Sequence, residues 1–227
     1  TLGLRHNFKA SSLYTMAEIN SEDVRGKKPF TASVMDYNPV NFNMDAGEVQ
    51  GDFAMIGIGP YDSWAIEYGY TFGDVNEVLS KSNLPEHAYL TDEDTGGPDP
   101  LAKRYDFSKD PLDYAQNQMR IVAKLREDLL EQFVEDGDSW SKARRGYETT
   151  LRMQAGAASM MADWIGGAHV NRNKKGDFGD EDVPPIQVVP AQQQRAALAF
   201  IIDSIFDDEG YGLSPELLTH FNVDKWY

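Results

Sequence analysis

The chain holds four histidines, His6, His87, His169 and His220, and no cysteine. Imidazole is the side chain that both binds zinc as a neutral ligand and moves protons near neutral pH. The four lie far apart and form neither an HExxH helix nor a Cys/His pattern, so each reads first as a surface or hydrogen-bonded residue. His6 differs through its neighbours. In "TLGLRH" it follows Gly3 by three positions, and glycine enters the left-handed region without a Cβ clash. A chain leaving a zinc-binding HExxH helix can turn at such a glycine and present a third histidine. His87, His169 and His220 receive no role.

The other residues suited to metal chemistry are acidic. In "TDEDTGGPDP", Asp92, Glu93, Asp94 and Asp99 offer the hard oxygen ligands that calcium takes, without the spacing of an EF-hand loop. The plainer reading of such a run is a solvated loop.

Elements that would position these groups follow from pattern and punctuation. Residues 1 to about 60 are short apolar pieces broken by "NSEDVRGKKP", "DYNPVNFN" and "GIGP", a texture of loops wrapped around a site. "YDSWAIEYGY" has helical spacing with Pro60 ahead and Asp62 in its first turn, and "GDVNEVLSKS" reads as a short helix. Residues 84–110 form a long connection rich in Pro, Gly and Asp. Two long helices follow. The first has Asp110 as cap, Pro111 at the first helical position, a stripe from Leu112 to Phe133 and a stop at Gly137. The second lies between Ser139 and the pair Gly166-Gly167. A ribbon or loop, an amphipathic helix in "AQQQRAALAFIIDSIF" and a short helix at "SPELLTHF" complete a mainly α chain.

At 227 residues the chain can bury a sizeable core. Its 37 acidic residues against 21 basic ones leave a net charge of −16, which argues against nucleic acid or an anionic membrane surface as partners. Absence of cysteine excludes disulfides and thiolate metal sites. No stretch is long and apolar enough for a transmembrane segment. A start at Thr1 in place of Met reads as a fragment.

Placed after an HExxH helix, "TLGLRH" resembles the end of the metzincin zinc-protease pattern H-E-x-x-H-x-x-G-x-x-H, with Gly3 as the glycine and His6 as the third zinc ligand. Downstream, "SVMDY" resembles the metzincin Met-turn. The resemblance implies that Met35 lies as an apolar floor under the imidazoles. Tyr37 matches the tyrosine that, in astacin-like and serralysin-like members, reaches the zinc and helps hold the tetrahedral oxyanion. Asn38 and Pro39 would begin the wall of the pocket that receives the side chain after the scissile bond. Asp62, Ala65 and Ile66 are similar to the start of the closing helix of metzincin domains, with a shortened tail. The order "HNFKASS", "SVMDYNP", "GPYDSWAIEYGY" resembles a metzincin-like family of large exported bacterial proteins in which a helical extension follows the protease motif. That implies residues 1–72 as the C-terminal subdomain of the catalytic domain and residues 73–227 as the helical extension, with short irregular or β-ribbon segments. It also implies a periplasmic, cell-surface or secreted location.

The chain departs from the pattern in lacking the first two histidines and the general-base glutamate. The expectation is therefore the C-terminal part of a zinc endopeptidase, cut just after the helix that carries the other ligands. Alone it would be inactive and metal-free; the intact parent would bind Zn2+, act on a peptide or protein substrate through a metal-activated water, and contact this chain through its upstream domains. A rival reading from another class is a non-catalytic helical interaction module that binds a partner or a polysaccharide.

Overall fold

Short apolar pieces separated by Gly, Pro, Asn and Asp cannot bury a helical stripe, and the described residues among the first sixty accordingly contain little regular structure. The computed structural model describes residues 3–44, 49–176 and 183–225. In this first part it has a 3-10 turn at Ala10–Leu13 and one short helix, α1 (Met16–Ile19). Thr15 and Glu18 close a reciprocal cap on α1: the Glu18 amide donates to Thr15 Oγ1 at 3.2 Å and the Thr15 amide to Glu18 Oε2 at 2.8 Å. Next comes α2 (Pro60–Tyr70), opened by proline at its first position, and then α3 (Asn76–Leu79).

The helical part begins where Asp110 accepts the Leu112 amide at 3.1 Å, and α4 (Pro111–Glu127) runs from there. The single helix predicted as far as Gly137 is broken at Asp128, after which α5 (Leu129–Gln132) takes over. The break lets Leu129 turn in beneath α6 (Ser141–Ala162), where a Cβ at Gly146 would meet Leu129 Cδ1 at 2.6 Å. An antiparallel ribbon follows, β1 (Ala168–Val170) against β2 (Ile186–Val188), with His169 opposite Gln187. Helix α7 (Ala191–Ile201) continues into a π turn over Ile202–Phe206, and α8 (Pro215–Thr219) closes the described chain. The mainly α architecture with a small ribbon is the one the sequence pattern predicts. Among the described residues no helix is long and apolar enough to cross a membrane.

One hydrophobic cluster draws on both ends of the chain. Tyr114, Ala115 and Val122 of α4 and Ala157, Met160 and Met161 of α6 are buried, and α7 adds Ala197 and Phe200. All but Val122 belong to a cluster shared with Met16 and Ile19 of α1, Phe30 and Phe107. At the far side the buried Arg126 guanidinium joins three segments. It donates to Thr150 Oγ1 at 2.8 Å, Gln154 Oε1 at 2.6 Å and the Gly210 carbonyl at 2.8 Å.

The long connection does not hang free; its second half is laid along the N-terminal segment. Phe8 donates its amide to Leu90 at 2.7 Å, Lys103 to Phe8 at 3.1 Å, Tyr105 to Tyr37 at 3.0 Å, Ser108 to Ser11 at 3.2 Å and Lys109 to Tyr14 at 2.8 Å. These bonds satisfy backbone groups that regular structure would otherwise pair. They also carry the acidic turn at Asp92–Asp94 over to His6.

Candidate functional site

Gly3 stands at φ +79°, with nothing within 4 Å of where a Cβ would lie, so it is the left-handed conformation itself that favours glycine there. Three residues on, the His6 ring is half-buried and engaged at both nitrogens. Nδ1 lies 3.0 and 3.2 Å from the two carboxylate oxygens of Asp92, and Nε2 lies 3.0 Å from the Tyr37 hydroxyl. An ionised carboxylate only accepts, so Nδ1 carries the proton; in the neutral ring Nε2 then offers its lone pair to the phenol O–H. The ring centroids of His6 and Tyr37 are 4.8 Å apart, and the buried Phe8 lies 5.1 Å from His6 and 5.3 Å from Tyr37.

Three side chains tie down the turn around Met35. Asp62, in the first turn of α2 and buried, accepts from Ser33 Oγ at 2.5 Å, the Val34 amide at 2.8 Å and the Gly59 amide at 2.9 Å. Ser33 Oγ in turn accepts the Met35 amide at 3.0 Å. Asp36 accepts the Tyr37 amide at 2.7 Å and the Ser11 amide at 2.9 Å. The Met35 carbonyl takes the Asn7 amide at 3.2 Å, which brings the turn against the segment carrying His6. Tyr105 packs its ring 5.7 Å from Tyr37 and holds φ 63°, a left-handed conformation rare for an aromatic residue.

Beneath the turn, Ser11 links two buried carboxyls by giving its amide to Asp36 and its hydroxyl to Asp106 Oδ1 at 3.2 Å. Burial and the nearby Asp106 push Asp36 up to about 8, and burial pushes Asp106 up to about 7. In the unfolded chain both ionise in the ordinary carboxylate range, so from about pH 4 to about 8 the folded state holds the more protons. Stability therefore falls as pH rises through this window. Asp106→Asn is expected to flatten that slope and to raise the melting temperature at pH 8, measured by thermal unfolding from pH 5 to 8.5. An unchanged slope would show that Asp106 does not contribute to it.

The remaining sequence-derived candidates fall in two places. Asn38 and Pro39 are half-buried just past the turn, with Asn38 Nδ2 directed to Thr31 Oγ1 at 3.4 Å. The chain beyond exposes the apolar side chains of Val40, Phe42, Phe53 and Ile58. The acidic residues do not converge as a calcium site would require. Asp92 faces His6 and Arg104, Glu93 pairs with Arg5 at 2.6 Å, and Asp94 pairs with Arg172 at 2.8 Å. Asp99 is buried rather than solvated and accepts from Lys9 Nζ at 2.9 Å and the Val170 amide at 3.0 Å, with His169 Nδ1 at 3.2 Å. Among the described residues no group of three or more His, Cys, Asp or Glu could hold a metal ion.

The other histidines have structural surroundings. His87 stacks on Trp64 at 5.0 Å, and His220 lies 4.4 Å from the Trp140 ring. Sequence reasoning missed Asp36, Asp106 and Asp92 as neighbours of the site. Asp62 carried a signal, since an acidic residue in the first turn after Gly-Pro marks a helix start, but its hold on the turn needed the structure.

The left-handed Gly3, the His6 imidazole and the Tyr37 hydroxyl two residues past Met35 thus stand together in one place. The family model described as Met-zincin matches residues 1–226, and the chain belongs to that family. No curated protein and no solved structure matches the chain.

Proposed function

We propose that this chain is the part of a zinc-dependent endopeptidase that contributes the third metal ligand and the oxyanion-stabilising tyrosine. The observation that carries this reading is the 3.0 Å approach of the Tyr37 hydroxyl to Nε2 of His6. With Nδ1 protonated towards Asp92, Nε2 is the nitrogen left with a lone pair for a cation. These residues fit a zinc site as part of its donor set, not as the whole of it. A catalytic zinc takes three protein ligands and keeps a fourth position open, and His6 supplies one imidazole. The other two histidines and the general-base glutamate would come from an HExxH helix ahead of Gly3, so residues 1–227 alone are inactive in this reading.

Bound zinc supplies a Lewis acid and a water of lowered pKa. His6 would hold the metal through Nε2. Tyr37, exposed and hydrogen-bonded through its hydroxyl to His6, can turn its O–H from His6 to the oxygen that gains charge when a peptide carbonyl is attacked. Asn38, Pro39 and the apolar surface after them line the approach for a peptide side chain. Export of the protein belongs to the same proposal and rests on the family resemblance.

The test is Tyr37→Phe in the protein that includes the HExxH helix. The expected result is retained zinc, a KM close to the original and a kcat lower by about 10²–10³, the usual cost of one oxyanion donor. An unchanged kcat with intact zinc would remove Tyr37 from the chemistry. No cleavage and no zinc in the unsubstituted protein would favour a non-catalytic helical interaction module.

A further inference from the structure

We infer that Asp92, clamped by Arg104, is the positioning residue that sets the tautomer and the aim of His6. This inference rests on the reading of His6 as a zinc ligand. Both Asp92 oxygens lie within 3.2 Å of Nδ1, so either can accept its proton. Arg104 Nη2 bonds Asp92 Oδ1 at 3.2 Å, while its guanidinium carbon sits 4.7 Å above the Phe8 ring that also packs on His6. The clamp and the ring it orients therefore share one support.

The backbone under Asp92 is held as well. The turn Asp92–Asp94 is capped by the Thr91 amide on Asp94 Oδ2 at 2.8 Å, and Arg172 grips both oxygens of Asp94 at 2.8 and 3.0 Å. The acidic run, read from the sequence as oxygen ligands or a solvated loop, thus touches the imidazole through Asp92 and is anchored through Asp94. A carboxylate on the remote nitrogen of a metal-binding imidazole fixes the tautomer, restrains the ring and raises the basicity of the binding nitrogen.

Two readouts test this in the HExxH-bearing protein. In the metal-free protein, nitrogen-15 NMR of the His6 ring is expected to show the Nδ1–H tautomer. Asp92→Ala is expected to move the proton towards Nε2, and Asp92→Asn, whose amide carbonyl still accepts, to preserve most of the original pattern. Zinc affinity measured by chelator competition is expected to drop about 10–100-fold in Asp92→Ala and less in Asp92→Asn. Glu93→Ala removes a neighbouring negative charge that bonds Arg5 instead of His6, and should change neither readout. An unaltered tautomer and unaltered zinc affinity in Asp92→Ala would overturn the positioning role while leaving His6 as a ligand. Absence of zinc binding in the unsubstituted protein would overturn the zinc reading itself and, with it, the role of Asp92.

Discussion

Asp62→Ala is expected to lower the free energy of unfolding by about 3–5 kcal/mol. The Asp62 side chain is almost fully buried and accepts from Ser33 Oγ, the Val34 amide and the Gly59 amide. Hydrogen bonds to a charged group are worth roughly 1.5–3 kcal/mol each, and buried donors left without an acceptor add their desolvation cost. Alanine would strand all three donors at once. The loss would be felt at the site, because Ser33 also holds the Met35 amide and the turn sets where Tyr37 lies. Denaturant unfolding measures it, with Ser63→Ala as a neighbour on the exposed face of α2 expected to change stability by less than about 0.5 kcal/mol. A loss below about 1 kcal/mol for Asp62→Ala would mean that α2 and the turn are held together by something else.

The second large effect is on metal binding. His6→Ala in the protein carrying the HExxH helix should reduce zinc retention and peptide cleavage to background, because two imidazoles are one short of the donor set a catalytic zinc needs. Folding should be little affected. The ring is half-buried, and its pairing with Asp92 lies near the surface, where such pairs contribute little to stability. The contrast between the two substitutions separates the roles. Asp62 builds the platform, and His6 uses it.

What could be read from the sequence was local. Gly3 and His6, and Met35 with Tyr37, lie in two short stretches whose spacing carries the meaning, and the structure brings them together. The helix starts were legible for the same reason: Asp110 and Pro111 mark the start of α4 in two consecutive residues. Features that depend on distant contacts were not. Asp92 meets His6 across 86 positions and Asp106 meets Ser11 across 95. Nothing in an acidic run says which base it will face once a loop folds back. The break at Asp128 was hidden too, since the apolar stripe continues through it and the reason for stopping, Leu129 under Gly146, belongs to another helix. Asp36 sits inside the motif itself, yet its perturbation comes from burial and then from Asp106, neither visible in "SVMDY".

The most direct measurement is zinc content after dialysis, with peptide cleavage assayed on the same samples, for the HExxH-bearing protein and its His6→Ala variant. Stoichiometric zinc and cleavage in the first, with both lost in the second, is the predicted outcome. Equal zinc and equal cleavage in the two proteins would contradict the assignment of His6 as the third ligand.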